Sequence, residues 1–111
     1  MKKVVICLIT AFSLMYLPFT ANAAVITKDS GGNTFKKAWE LTASGSNWLM
    51  RYGYNTTWIN EDYTHTTHTN RNHTAIVTNG RGSFSKSAKD GKWAKIEVRH
   101  SGTSVQYSIS Y

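Results

Sequence analysis

The residues best suited to chemistry gather in one stretch, 63–82. It holds three of the four histidines, His65, His68 and His73, behind Tyr63 and with Arg71 and Arg81 close by. Imidazoles can ligate a metal, move protons or donate to an anion. For a metal, His65-x2-His68 with His73 offers nitrogen ligands for Zn²⁺ or Cu²⁺, with Glu61 and Asp62 as the acids at hand. The spacing matches no zinc-protease or zinc-finger pattern. On a regular strand the odd separation would also send His65 and His68 to opposite faces. For an enzyme, His100 with Glu97, or His73 with Glu61, has the composition of a small ribonuclease's acid–base pair. No spacing ties either pair together, and no serine stands in a Gly-x-Ser-x-Gly elbow. Two readings remain: surface histidines bonded to Thr and Asn neighbours, and a recognition surface for an anionic ligand.

Basic and aromatic residues also interleave, at Trp48, Arg51 and Tyr52 and again at Trp93, Lys95 and Arg99. Such a face suits single-stranded nucleic acid, a sugar-phosphate or a pyrophosphate-lipid head group, by stacking and phosphate pairing. Cation–aromatic pairs that only stabilise a sheet are the commoner explanation.

The elements that must position these groups read as strands. Residues 63–72 are too rich in Thr, Asn and His for a core, which predicts a solvent-facing segment. At His73 the chain turns apolar through Thr78, a buried strand, and Asn79-Gly80 then supplies the positive φ of a tight turn. Upstream, Trp39, Leu41 and Ala43 alternate, Ser44-Gly45-Ser46 turns the chain, and Trp48, Met50, Tyr52 and Tyr54 alternate again, which predicts a hairpin. Residues 55–62 read as a loop in which Trp58 and Ile59 either fold back as a lid or stay exposed for a partner. Over 92–100, Ala94, Ile96 and Val98 share one face and Trp93, Lys95, Glu97 and Arg99 the other, a half-buried strand. Val105, Tyr107, Ile109 and Tyr111 alternate to the last residue. The expected core holds Trp48, Ala75, Val77, Ala94, Ile96, Val98, Val105, Tyr107 and Ile109. Short strands, Gly/Asn turns and no convincing helix predict an all-β fold, a small antiparallel β-sandwich of about six strands, with a barrel as the alternative.

Composition sets the compartment. Lys2 and Lys3, an apolar run over 4–17 and Ala21-Asn22-Ala23 read as a cleavable signal peptide, 1–23. The run is short for a membrane span. Cleavage after Ala23 would leave 88 residues for export, with 24–45 as a flexible lead-in and first strand and 46–111 as the main domain. The one cysteine, Cys7, lies in the signal, so no disulfide is expected. A chain of this size buries only ~60% of its unfolded surface, so aromatic residues must fill much of the core and dimerisation would help. Without Lys2 and Lys3 the 13 basic residues fall to 11 against six acids, a net charge of +5. A cationic exported protein is drawn to bacterial envelope, phospholipid or nucleic acid.

These residues resemble a family. Trp48 and Tyr52-Gly53-Tyr54, then Tyr63 with His65 and His68, then His73-Thr-Ala-Ile-Val, then Gly91-Lys-Trp-Ala-Lys-Ile-Glu-Val and a closing aromatic strand follow the order of motifs in the lactococcin 972 family of bacteriocins. The likeness covers 46–111. Two departures stand out: threonines separate His65 from His68 where the family sets two adjacent histidines, and 24–45 has little counterpart. The resemblance implies a secreted antibacterial β-sandwich that self-associates, is not an enzyme and uses no cofactor. It implies binding of the cell-wall precursor lipid II, or another anionic envelope lipid, and a block of wall and septum synthesis without pores. An immunity protein with an ABC transporter would protect the producer, and nucleic acid would not be a partner. The expected contact surface is Tyr63, His65, His68, Arg71 and His73, with Arg81 and Lys86 across the hairpin and Arg51 and Arg99 as weaker candidates; no metal site is expected. The alternative is a secreted His-rich metal- or nucleic-acid-binding protein or a small nuclease.

Overall fold

The structure is a computed structural model that describes residues 24–111; the expected signal peptide, 1–23, lies outside the described residues. Eight strands follow in order: β1 (Val25–Lys28), β2 (Trp39–Ser44), β3 (Trp48–Asn55), β4 (Glu61–His68), β5 (His73–Asn79), β6 (Gly82–Ala88), β7 (Ala94–Arg99) and β8 (Gln106–Ser110). They form two four-stranded antiparallel sheets, β1-β8-β5-β6 and β2-β3-β4-β7, packed as a sandwich. The expected class is observed. The strand number exceeds six because the lead-in supplies β1 and the polar stretch after Glu61 is itself a strand.

Alternation sends Met50, Tyr52 and Tyr54 of β3, Ala75 and Val77 of β5, Ala94 and Val98 of β7, and Tyr107 and Ile109 of β8 between the sheets. Val105 is buried with them, while Trp48 and Ile96 are half-buried at the margin. Tyr107 anchors this core, with Tyr52 at 5.1 Å and the edge of Trp39 at 5.9 Å between ring centroids. Each fully buried large apolar side chain contributes about 1.5–3 kcal/mol, which is how a cysteine-free sandwich of this size holds together.

The segment 63–72 departs from expectation. Most of it is β4 rather than a solvent-facing segment, and β4 lies inside its sheet between β3 and β7. Asp62, Thr64, Thr66 and His68 all face inward and are buried. Polar groups survive there only if hydrogen-bonded, and each of these is. Thr64 donates to the Ile76 carbonyl at 2.9 Å, Thr66 meets His73 Nδ1 at 2.7 Å, and Asp62 accepts from Asn79 at 2.9 Å. All three bonds run from β4 to β5 across the sandwich, so a polar seam joins the two sheets where a solvent-facing segment was expected.

The turn after β5 also differs in detail. The positive φ falls on Gly82 (125°) and not on Gly80. Gly80 is needed for space: a Cβ there would come within 2.6 Å of Ser101 Oγ, and its N–H donates to the Ser101 carbonyl at 2.9 Å.

Candidate functional site

The two outer faces of the sandwich differ in chemistry. Outside β5 and β6 stand Thr74, Thr78, Ser83 and Ser87, paired as Thr74–Ser87 at 2.7 Å and Thr78–Ser83 at 3.0 Å. No charge projects from these positions. The opposite sheet carries its charges and aromatics in rows set by strand register. Arg51, His65 and Lys95 are consecutive partners across β3, β4 and β7. Neighbouring strands place such partners ~4.5–5.5 Å apart, so the row packs three basic groups side by side. The Arg51 guanidinium also lies 5.4 Å from the Trp93 ring centroid.

The next row is Glu40, Gly53, Tyr63 and Glu97. Gly53 has no side chain, and the Tyr63 ring spans it so that the hydroxyl donates to Glu40 Oε2 at 2.8 Å. A Cβ at Gly53 would approach that hydroxyl to 3.0 Å and the Trp39 carbonyl to 2.1 Å, so only glycine fits. Burial and the bond to Glu40 push the Tyr63 hydroxyl well above its ordinary pKa. His65 Nε2 donates to Glu97 Oε2 at 2.8 Å, a bond that fixes its tautomer. Above these rows the loop between β3 and β4 holds Trp58 with 89% of its surface exposed, while Ile59 is half-buried. Glu40, Asn55, Trp58, Glu61, Tyr63, His65 and Glu97, with Thr57, line a groove of about 410 Å³.

The expected contact surface is not one surface. Tyr63 and His65 lie together on this outer face. His68 and His73 are buried at 3% and 2% exposure and are withdrawn from any contact role. His73 Nε2 donates to the Lys92 carbonyl at 2.9 Å and its Nδ1 bonds the Thr66 hydroxyl, so both ring nitrogens are used in holding the fold. His68 Nδ1 accepts from the Asn70 N–H at 3.2 Å, and its ring lies 4.7 Å from that of Tyr111. Burial, with His73 and Arg71 nearby, depresses the His68 pKa. Arg71 is exposed in the connection from β4 to β5, Arg81 in the turn after β5, and Lys86 on the edge strand β6 in the other sheet. As their odd spacing on a strand predicts, His65 and His68 face opposite sides of β4, and the inward one is held by the Asn70 N–H and the Tyr111 ring.

Neither candidate acid–base pair weighed from the sequence forms. Glu97 meets His65, His73 meets Thr66, and the partner of His100 is Asp62, at 2.9 and 3.0 Å from Nδ1 to the two carboxylate oxygens. Asp62 is fully buried, and Phe35 stacks on the imidazole at 4.4 Å. The ring borders a second cavity of about 380 Å³ with Thr34, Lys36 and Thr103. Sequence reasoning missed this pair because Asp62 and His100 lie 38 positions apart and only the pairing of β4 with β7 joins them. Among the described residues no group of three or more His, Cys, Asp or Glu could hold a metal ion. No known family, curated protein or solved structure matches this chain.

Proposed function

We propose that the protein is a secreted antibacterial protein of the lactococcin 972 type. It captures a phosphate-bearing envelope ligand, lipid II in the first instance, and arrests wall and septum synthesis without catalysis or pores. The observation that carries this reading is the cross-strand row Arg51–His65–Lys95, with Arg99 on the same face of β7. A rigid sheet holding three basic groups side by side can engage a pyrophosphate with little ordering cost. The net charge of +5 for 24–111 favours an anionic bilayer. The sandwich agrees with the fold that the resemblance implies, and His73-Thr-Ala-Ile-Val and the Gly91-Lys-Trp-Ala-Lys run supply β5 and the entry to β7. With His68 and His73 in the interior, the proposed contacts become Arg51, His65 and Lys95.

The test is growth inhibition of Gram-positive indicator strains by the purified protein. Added lipid II should relieve it, treated cells should accumulate wall precursors, and Arg51→Glu with Lys95→Glu should abolish it in a protein that still folds. Rapid loss of membrane potential would reject the reading in favour of pore formation.

A second reading is favoured by Asp62 and His100. A buried carboxylate on Nδ1 leaves Nε2 for proton transfer beside a cavity that also holds Lys36, which suits phosphodiester cleavage in a small nuclease. RNA hydrolysis that His100→Gln removes without unfolding the chain would establish it; intact RNA at high protein concentration would exclude it.

A further inference from the structure

We propose that the groove beside the basic row is a saccharide subsite. It would take a hexopyranose ring against Trp58, with the carboxylates of Glu61 and Glu97 accepting from its hydroxyls. That the sugar belongs to a lipid-linked precursor rests on the reading above; the ring-binding chemistry does not.

The first observation is Trp58. At 89% exposure its indole does nothing for the core, and it is the most exposed large apolar side chain among the described residues. The loop that carries it is nevertheless anchored. Its loop is closed by the Asn55–Glu61 pair at one end, and the His100 N–H donates to the Asn60 carbonyl at 2.8 Å at the other. An apolar face kept in water on an anchored loop is suited to a partner that covers it. A pyranose offers an apolar C–H face ringed by hydroxyls, so one flat aromatic wall and several acceptors at its rim match both parts.

The second observation is the distribution of acceptors. Glu40 and Glu97 each commit one oxygen, to Tyr63 and to His65, and so retain a second. Glu61 sits opposite Arg99 in register, yet no ion pair within 4.0 Å joins them among the described residues. Hydroxyl-to-carboxylate bonds are charge-assisted and strong, and the Asn55 amide adds a donor. A phosphate would meet three glutamates here and be repelled. A simple amine fits less well, because Arg51, Lys95 and Arg99 alternate with those glutamates on the same face. The groove of about 410 Å³ lies within the ~300–1,000 Å³ typical of small-molecule sites. Phosphate on the basic row and sugar in the adjoining groove would together read a sugar-phosphate ligand.

The test uses chitotetraose as the saccharide probe and cadaverine as the amine probe, followed by NMR on the folded protein. Saturable shifts at Trp58 and Tyr63 with chitotetraose are expected. Trp58→Ala should weaken binding about tenfold, equivalent to ~1.4 kcal/mol, with an unchanged melting temperature because the indole is exposed. Glu61→Gln should weaken it as well. Chitotetraose binding that is absent, or that Trp58→Ala leaves intact, overturns the proposal, as does cadaverine filling the groove while chitotetraose does not bind. A second arm compares purified wall glycan with vesicles containing lipid II. Binding to the glycan alone supports the saccharide subsite and rejects the lipid-linked precursor as its source; binding to the vesicles, weakened by Trp58→Ala, supports both.

Discussion

Asp62 accepts hydrogen bonds from His100 Nδ1 at 2.9 Å and Asn79 Nδ2 at 2.9 Å while fully buried, so one carboxylate joins the end of β7 to the opposite sheet. Removing the carboxylate leaves the His100 and Asn79 N–H donors without their acceptor, which costs about 1–3 kcal/mol for each. Asp62→Ala is therefore expected to be the most damaging single change in the polar seam. Urea unfolding should show a midpoint shift of that size. A loss below about 1 kcal/mol would mean that both donors are easily re-satisfied.

His65 of β4 and His73 of β5 should separate cleanly. His73→Ala removes two buried hydrogen bonds and is expected to cost about 2–4 kcal/mol. His65→Ala breaks only a partly exposed pair with Glu97, worth at most about 1 kcal/mol. Thermal melts of the two variants should rank them in that order, whereas activity against indicator cells should respond to His65.

Gly53 and Tyr63 form a matched pair. Gly53→Ala would drive a Cβ into the Trp39 carbonyl, a backbone atom that cannot step aside, and overpacking of this kind costs about 1–3 kcal/mol. Tyr63→Phe loses one hydrogen bond to Glu40, about 1 kcal/mol. Equal losses in denaturant titration would refute the steric account.

Tyr107 carries a fully buried hydroxyl that has no hydrogen-bond partner among the described residues. A buried unpaired hydroxyl disfavours folding by about 1–3 kcal/mol on mutational scales. Tyr107→Phe should therefore raise stability, read as a higher melting temperature. A fall would show that the hydroxyl is satisfied in solution.

Stability should decline at both ends of the pH scale. Burial first, then the neighbouring His73 and Arg71, depresses the pKa of His68, so the unfolded chain binds its proton first. Stability is then lost as pH falls below the ordinary histidine value of about 6.5 and down through the depressed one. At the alkaline end, burial first, then Asp29 for Tyr52, the Glu40 bond for Tyr63 and Asp62 for Tyr107, raises these hydroxyls. Here the native state holds protons that the unfolded state releases, so stability falls as pH rises past about 10. His68→Phe should flatten the acid limb of a stability–pH curve and leave the alkaline limb alone.

Much of the fold was legible because strands with one face buried announce themselves by a period of two. Val105, Tyr107 and Ile109, Ala94, Ile96 and Val98, and Met50, Tyr52 and Tyr54 all lie on the faces that their alternation assigned. The Ser44-Gly45-Ser46 turn likewise fell where glycine permitted it. What the chain order could not show was the fate of polar residues. Thr64, Thr66, His68 and His73 look solvent-facing in a linear reading, since nothing nearby in sequence pays for their desolvation. The two threonines and His73 find partners across the sandwich, through contacts that exist only once β4 and β5 are stacked, whereas His68 accepts from the adjacent Asn70 N–H and lies against the Tyr111 ring. The same holds for the site. Tyr63 and His65 share a face only because 61–68 is a strand, which the sequence reading did not foresee, and register brought Arg51, Lys95, Glu40 and Glu97 beside them, because cross-strand neighbours are set by pairing and not by distance along the chain.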